Sequence, residues 1–417
     1  MLMTRYLFCV FFATLLFSPF RVKAALPVAV EFTLTHIAAN KWRADYRLAE
    51  PVEKINFGPV VGEYRKLSWR ILTPGLALTE SQGHESISGG GIPFSALSIE
   101  VGLYLPLAQG SYTPFDRMSD GGTDVFIGYF DGDVEKNGDS RGLRFDMKLN
   151  GLPNESVTMP DGRDSAHLGY AYFGPASPTL VGAARLILDP KTPRWIVDLL
   201  HETTMRITKF YDRSFQRPLP YTPLIMVSIS EMESPGLSMK GGAVGQQVVY
   251  RLGGKALLSE SARVKTMFQE LVAHELAHVW QNNVSQGGVG EDEAWVHEGG
   301  AEAIALAALA GSGLFDQDTA DAFVKKRLQE CDTLNGALNT YRGAYSCGFK
   351  QFMNYEMNIF PLWKCMMEIA DLDGTSYSSA MIDTAREKLQ KISILPAQTK
   401  GSAEYVKSSR CRQAKVK

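Results

Sequence analysis

The sequence has almost no net charge, few cysteines, few histidines and no long apolar run beyond its first residues. Forty-three Lys and Arg stand against 45 Asp and Glu, a formal charge of −2 over 417 residues. No basic excess or dense Lys/Arg stripe marks a nucleic-acid partner. A mean hydropathy of −0.10 excludes a polytopic membrane protein. There is no internal repeat, which excludes a solenoid, and no long low-complexity linker. The five cysteines show no Cys-x-x-Cys spacing, so a cysteine zinc site has no support. What remains, 45% apolar and 21% charged residues, is the composition of a folded globular chain. Its length predicts two or three domains.

The N-terminus predicts export. Arg5 precedes an apolar run from Tyr6 to Phe17, and Val22-Lys23-Ala24 is a small-x-small site. This pattern reads as a signal peptide over residues 1–24, cut after Ala24 or Ala25. The run is too short for a comfortable membrane span, so no stable membrane insertion is expected after cleavage. Cys9 lies inside the run rather than at its end, which argues against a lipoprotein anchor. The expected location is periplasmic or secreted. Four cysteines then remain, Cys331, Cys347, Cys365 and Cys411, and an even number in an exported chain predicts two disulfides. Three pairings are open; Cys331–Cys347 with Cys365–Cys411 is the most local.

Residues 25 to about 190 read as strands, at 28–35, 42–48, 97–107, 124–130, 142–149 and 184–188, separated by Gly, Asp and Pro turns. Many short strands predict a β-sandwich. The acidic turn Asp131, Asp133, Glu135 has Lys136 where a calcium loop of EF-hand type needs glycine, so it reads as a hairpin turn. Beyond 190 the period becomes helical at 195–211, strands follow at 222–229 and 246–252, and helices are predicted at 262–283, 293–311, 317–330, 343–359, 361–371 and 376–392. His36, His84, His167 and His201 show no ligand spacing and read as surface or loop residues.

The chemistry concentrates in His274-Glu275-Leu276-Ala277-His278. Residues i and i+4 of a helix lie about 40° apart in azimuth and about 6 Å apart in rise. Two imidazoles so placed can share one zinc, with Glu275 beside them to take a proton from water. A catalytic zinc needs a third protein ligand. Glu298 and His297 are both candidates in Glu293-Ala294-Trp295-Val296-His297-Glu298-Gly299-Gly300-Ala301-Glu302, and neighbours on a helix diverge by about 100°, so only one should face the metal. Glu302 lies one turn after Glu298 and could accept the second N–H of a ligand imidazole, His274 being the expected one.

The segment Val272-Ala273-His274-Glu275-Leu276-Ala277-His278-Val279-Trp280 resembles the zinc helix of aminopeptidase-N-like gluzincins and of the glycyl aminopeptidase family. Trp295 to Glu302 resembles their Trp-x-Asn-Glu-Gly-Phe-Ala-Glu segment. The resemblance implies Glu298 as third ligand, with His297 in place of the usual Asn. The interval from His278 to Glu298 is one residue longer than in the family, which the Gly-rich stretch 286–290 accommodates. Ala344-Tyr345-Ser346-Cys347-Gly348-Phe349 resembles the family's Tyr-x-Lys-Gly turn and implies that Tyr345 donates to the oxyanion; Tyr341 is the alternative donor. Cys347 stands where Lys is usual.

One family motif is missing. The Gly-x-Met-Glu-Asn strand, whose Glu grips a substrate α-amine, is matched in position by Gly236 to Gly245, which holds no acid and has Lys240 or a glycine instead. Those glycines still suit a backbone that pairs with an extended peptide. Glu291, Asp292 and Glu293 could anchor an amine from another direction, although a solvated turn is the plainer reading.

The resemblance implies an α+β multidomain protein: an N-terminal antiparallel β-sandwich over 25–190, then a thermolysin-like, mostly helical zinc catalytic domain over 191–417. The expected activity is peptide-bond hydrolysis by zinc-activated water, on a peptide or protein substrate. The competing readings are a non-catalytic peptide- or protein-binding module on a peptidase fold, and a zinc hydrolase of a non-peptide substrate.

Overall fold

The computed structural model describes residues 26–106, 112–160, 169–282, 293–355, 357–373, 377–393 and 411. The leader, His167, the Gly-rich stretch 286–290, Glu291 and Asp292 lie outside these.

The N-terminal half holds strands β1 (Val28–Ala38), β2 (Lys41–Val52), β3 (Lys54–Pro59), a short helix α1 (Tyr64–Ser68), β4 (Trp69–Ile71), β5 (Ala77–Ser81), β6 (His84–Ser88), β7 (Phe94–Gly102), β8 (Phe115–Arg117), β9 (Thr123–Phe126), β10 (Asp133–Lys136), β11 (Asp139–Asn150), β12 (Ser156–Thr158) and β13 (Tyr170–Gly174). Nine of them form one sheet in the order β4-β7-β2-β1-β11-β10-β3-β6-β5, and four form a second in the order β12-β13-β9-β8. All pairs are antiparallel except β1 with β11. Alternation sets the faces: Trp42, Ala44, Tyr46 and Leu48 of β2 are buried while their neighbours are not. The aromatic core closes around Phe32, Trp42, Tyr46, Tyr64 and Phe130.

The sequence-predicted strand at 97–107 ends at Gly102, and the one at 124–130 becomes a 3-10 turn from Ile127. Strands β3, β4, β5, β6, β8, β10, β12 and β13 escape the sequence pattern. Several are only three to five residues long, and β13 is buried at all five positions, so it shows no alternation. The acidic stretch is not itself the turn: Asp133 and Glu135 lie on strand β10, and the hairpin turn follows them at Asn137 and Gly138, both at positive φ, with Lys136 opposite Asp139.

The second half begins with β14 (Thr179–Val181) and β15 (Ala184–Leu188), followed by α2 (Arg194–Phe215), β16 (Leu224–Ser230), β17 (Ser238–Val244) and β18 (Gln247–Gly253). These strands form a five-stranded sheet in the order β14-β15-β16-β18-β17. β15, β16 and β18 are parallel, and β17 is an antiparallel edge. Ile225, Val227, Val248 and Tyr250 join the helical core, whereas Leu224, Met226 and Val249 join the β core. A sheet covered on both faces needs apolar side chains at successive positions, which is why β16 reads as an unbroken apolar run.

Six more helices follow among the described residues: α3 (Ala262–Gln281), α4 (Ala294–Gly311), α5 (Gln317–Thr333), α6 (Tyr341–Asn354), α7 (Ile359–Asp373) and α8 (Ser379–Ser393). Where the sequence predicts one helix over 343–359, α6 ends at Asn354 and α7 starts at Ile359. Disulfides join Cys331 to Cys347 and Cys365 to Cys411, the most local pairing. No helix among the described residues is long and apolar enough to cross a membrane.

His36 corrects the sequence reading. It is not a surface residue but is 3% exposed, stacked on Trp42 at 4.4 Å, with Nδ1 2.7 Å from Glu155. His201 lies on α2, half-buried, and His84 is exposed on β6.

Candidate metal centre

Helix α3 starts at Ser261, whose Oγ accepts the Val264 N–H at 3.2 Å. Its apolar side packs on the sheet through Val264, Phe268, Val272 and Leu276. The buried Tyr211 hydroxyl donates to the Ala273 carbonyl at 2.7 Å and fixes the turn that carries His274. Helix α4 is rich in Ala and Gly, and this lets it approach closely. A Cβ on Gly299 would collide with the Gly348 backbone, and one on Gly300 with the Trp363 ring. The glycine crossing brings α4 and α6 together one residue after Glu298 and three after Tyr345.

Three donor atoms meet there. His278 Nε2 lies 3.0 Å from His274 Nε2. Glu298 Oε2 lies 3.2 Å from His274 Nε2 and 3.3 Å from His278 Nε2. These three are the group of the described residues that could hold a metal ion. Tetrahedral zinc with ligand bonds of about 2.0–2.1 Å separates its ligands by about 3.3–3.4 Å, close to the spacings found. The imidazole orientations agree. His278 Nδ1 is 2.7 Å from the Gln281 Oε1 acceptor and so carries the proton, which leaves Nε2 with its lone pair. A lone pair facing another imidazole nitrogen and a carboxylate calls for a cation between them. The donor set therefore fits zinc, which His274, His278 and Glu298 would hold.

Each histidine has its own support. Glu302 Oε1 lies 3.3 Å from His274 Nδ1, an ion-pair distance without hydrogen-bond alignment. Glu302 is in turn clamped by Arg327, which donates through Nε and Nη2 at 2.8 Å each. On the other side, Gln281 Nε2 donates to the His297 carbonyl at 3.0 Å. The His297 ring does not point at the shared atoms but stacks on His278 at 4.1 Å. Between the two adjacent candidates, Glu298 is the one beside the imidazoles.

Without a metal, burial pulls the His274 imidazole down, but Glu298 and Glu302 outweigh it and push it up to about 10. Glu298 is pushed up by burial and pulled further down by His278 and His274, well below the usual carboxylate range. A dication would take the place of that proton. Glu275 is 7% exposed; burial pushes its carboxyl up, against the pull of His274 and His278. His297 is driven down by burial and stays neutral.

Tyr345 stacks on His274, with ring centroids 5.3 Å apart and 19° between planes. Burial and then Glu298 push its phenol far up, so it is a neutral donor. Tyr341 lies beside it, 5.2 Å away between centroids, and is largely exposed.

The opposite wall is β17. A Cβ on Gly241 would sit 2.6 Å from Glu275 Cγ and Oε1, so only glycine lets the strand pass this close. The Ala243 N–H donates to the Glu275 carboxylate. Lys240 is exposed. Glu293 is engaged by Ser379, whose N–H it accepts at 2.9 Å. Sequence reasoning missed Gln281 and Arg327. Gln281 stands three residues after His278 on one helix face and was findable from that spacing; Arg327, 25 residues after Glu302, gave no local signal.

No protein-family model matches the chain, and no curated protein matches it. Among solved structures, an aminopeptidase N family protein from Idiomarina loihiensis matches with TM-score 0.52 at 11% identity, over 89% of this chain and 72% of its own. An M1 zinc metallopeptidase from Deinococcus radiodurans gives 0.48 at 12% identity, over 93% and 92%. Yeast LTA4 hydrolase gives 0.48 at 10% identity, over 87% and 65%. At these identities the likeness is one of fold. With the first of these structures the chain shares its fold.

Proposed function

We propose that the chain is an exported zinc peptidase, with residues 25–190 framing the cleft and 191–417 carrying the chemistry. The observation that supports this best is the convergence of His274, His278 and Glu298 within 3.0–3.3 Å, with the Glu275 carboxylate beside them. A zinc ion bound there would supply Lewis acidity and make water a nucleophile near neutral pH. Glu275, raised by burial, takes the proton as the water oxygen attacks the peptide carbon. It returns that proton to the leaving amine nitrogen as the C–N bond breaks. Tyr345 donates its O–H to the oxygen on which negative charge develops. The backbone of β17 pairs with the substrate main chain, where glycine leaves room. Glu302 and Gln281 hold the two imidazoles in position.

Export is supported by the sequence leader and by the two disulfides. A binding module has no use for a buried Glu275, so the catalytic reading is preferred. The test is hydrolysis of a mixed peptide library by the purified mature chain, with and without chelator. Chelator-sensitive cleavage is expected; no cleavage of any peptide would favour the binding module or a non-peptide substrate.

A further inference from the structure

The three donor atoms come from two helices, so their spacing depends on what holds α3 to α4. The facing ends of the two helices lie close to two of the donors. Gln281 comes three residues after His278, and Glu293 five residues before Glu298. Zinc–ligand bonds tolerate only about 0.2 Å, so a small slip of one helix against the other would spoil the site.

Both ends are met by one short segment, Tyr377 to Ser379, which leads into α8. The Tyr377 hydroxyl donates to the Gln281 carbonyl, one of those that a helix leaves without a partner in its last turn. Ser379 donates its backbone N–H to Glu293 Oε2 at 2.9 Å and its hydroxyl to Glu293 Oε1. Glu293 stands at the N-cap of α4, where a side-chain oxygen ordinarily accepts an N–H of the first turn. It makes no such bond, and its carboxylate is turned to Ser379 instead.

The segment has a firm base. Tyr377 is fully buried and meets Trp363 edge-on, at 4.7 Å between centroids and 89° between planes. The same indole lies against Gly300, so the helix that carries Glu298 rests on it too. Helix α8 packs on α7, and its first turn is fixed by the Ser378 hydroxyl, which accepts the Met381 N–H at 3.3 Å. Burial pushes the Tyr377 phenol up and keeps it a neutral donor. On the inner side, Gln281 carries the clamp to the metal centre. Its amide accepts from His278 Nδ1 and donates to the His297 carbonyl of α4.

We propose that Tyr377 and Ser379 are positioning residues of the metal centre: together they clamp the end of α3 to the start of α4 and hold His278 and Glu298 at the spacing that one ion needs. The last helices of the chain thereby serve the site without touching it. This inference rests on the metal centre of the peptidase reading and not on its substrate.

The test uses the mature full chain and three variants. Zinc affinity is read by competition with a chelator, and ligand geometry by the visible absorption of the protein loaded with cobalt(II) in place of zinc. Tyr377→Phe keeps the ring on Trp363 and loses only the hydroxyl. It should weaken zinc roughly tenfold and alter the cobalt band. Ser379→Ala keeps the backbone N–H to Glu293, so a smaller change in the same direction is expected; it decides alone if Tyr377→Phe does not fold. Tyr46→Phe is the structural control, because it removes an equally buried phenol–carbonyl bond, to Phe130 at 2.9 Å in the β domain. It should lower the denaturant midpoint and leave both metal readouts at wild-type values. Wild-type affinity and spectrum in Tyr377→Phe and Ser379→Ala would overturn the clamp alone. Equal changes in Tyr46→Phe would reduce it to general stability and overturn it as well. A wild type that binds neither metal would overturn the metal centre itself, and this inference with it.

Discussion

The cleft wall formed by α3 and α4 buries His274, Glu275, His278 and Glu302 and depends on side-chain chemistry, whereas the wall formed by β17 presents glycine backbone and depends on the absence of side chains. On the helical wall, burial and mutual charge perturb nearly every ionisable group, so position must be fixed by partners such as Arg327, Gln281 and Tyr211. On the strand wall, the ladder to β18 fixes position and the proposed substrate contact falls to the outward N–H and C=O groups. A functional residue on the first wall is recognised by its type. On the second it is recognised only by what it leaves out.

The comparison breaks most sharply at Glu275. Glu275→Gln keeps the size of the side chain and removes its basicity. Hydrolysis should fall by about 10²–10⁴, with zinc content unchanged; full activity would remove Glu275 from the proton-transfer role. Gly241→Ala attacks the same group from the other wall. Its new Cβ would need the space 2.6 Å from Glu275 Cγ, so the carboxylate must swing away. A loss of about 10² in kcat with zinc retained is expected. Wild-type kcat in the Gly241→Ala variant would show that the two walls do not touch in solution.

The next test stays on the helical wall and sets its two supports against each other. Arg327→Met leaves the buried Glu302 without its cation, whereas Gln281→Leu removes a neutral partner. Each should weaken zinc binding, by roughly 10–100-fold, with the charged support costing more. Competition with a chelator of known affinity measures both; equal losses would mean that the charge on Glu302 adds nothing. The smallest effect on chemistry belongs to the Cys331–Cys347 disulfide, which ties α5 to α6 near Arg327 and Tyr345. Replacing both cysteines by Ser should lower stability by about 3 kcal/mol in denaturant unfolding and leave zinc content intact.

The same contrast explains what was legible in the sequence. His274, Glu275 and His278 are readable because helical spacing alone brings them together. Glu298 and His297 were separable only through resemblance, since a helix turns by about 100° between neighbours and the sequence does not state the starting angle. Cys331–Cys347 and Cys365–Cys411 followed the local option, which four cysteines alone do not compel. The long helices and β1, β2 and β11 appeared at their expected places because burial on one face imposes a period. Strand β13, buried throughout, and His36, hidden on Trp42 with Glu155 as partner from 119 residues away, carry no local signature. Tyr377 was equally silent: its partners Trp363 and Gln281 are assembled only by the fold.

The claim on which the rest depends is that three side chains from α3 and α4 share one divalent ion. Elemental analysis of the purified full chain, beside its His274→Ala variant, tests it most directly. The account predicts a single zinc per chain in the wild type and none in the variant. Equal zinc in the two proteins would contradict it.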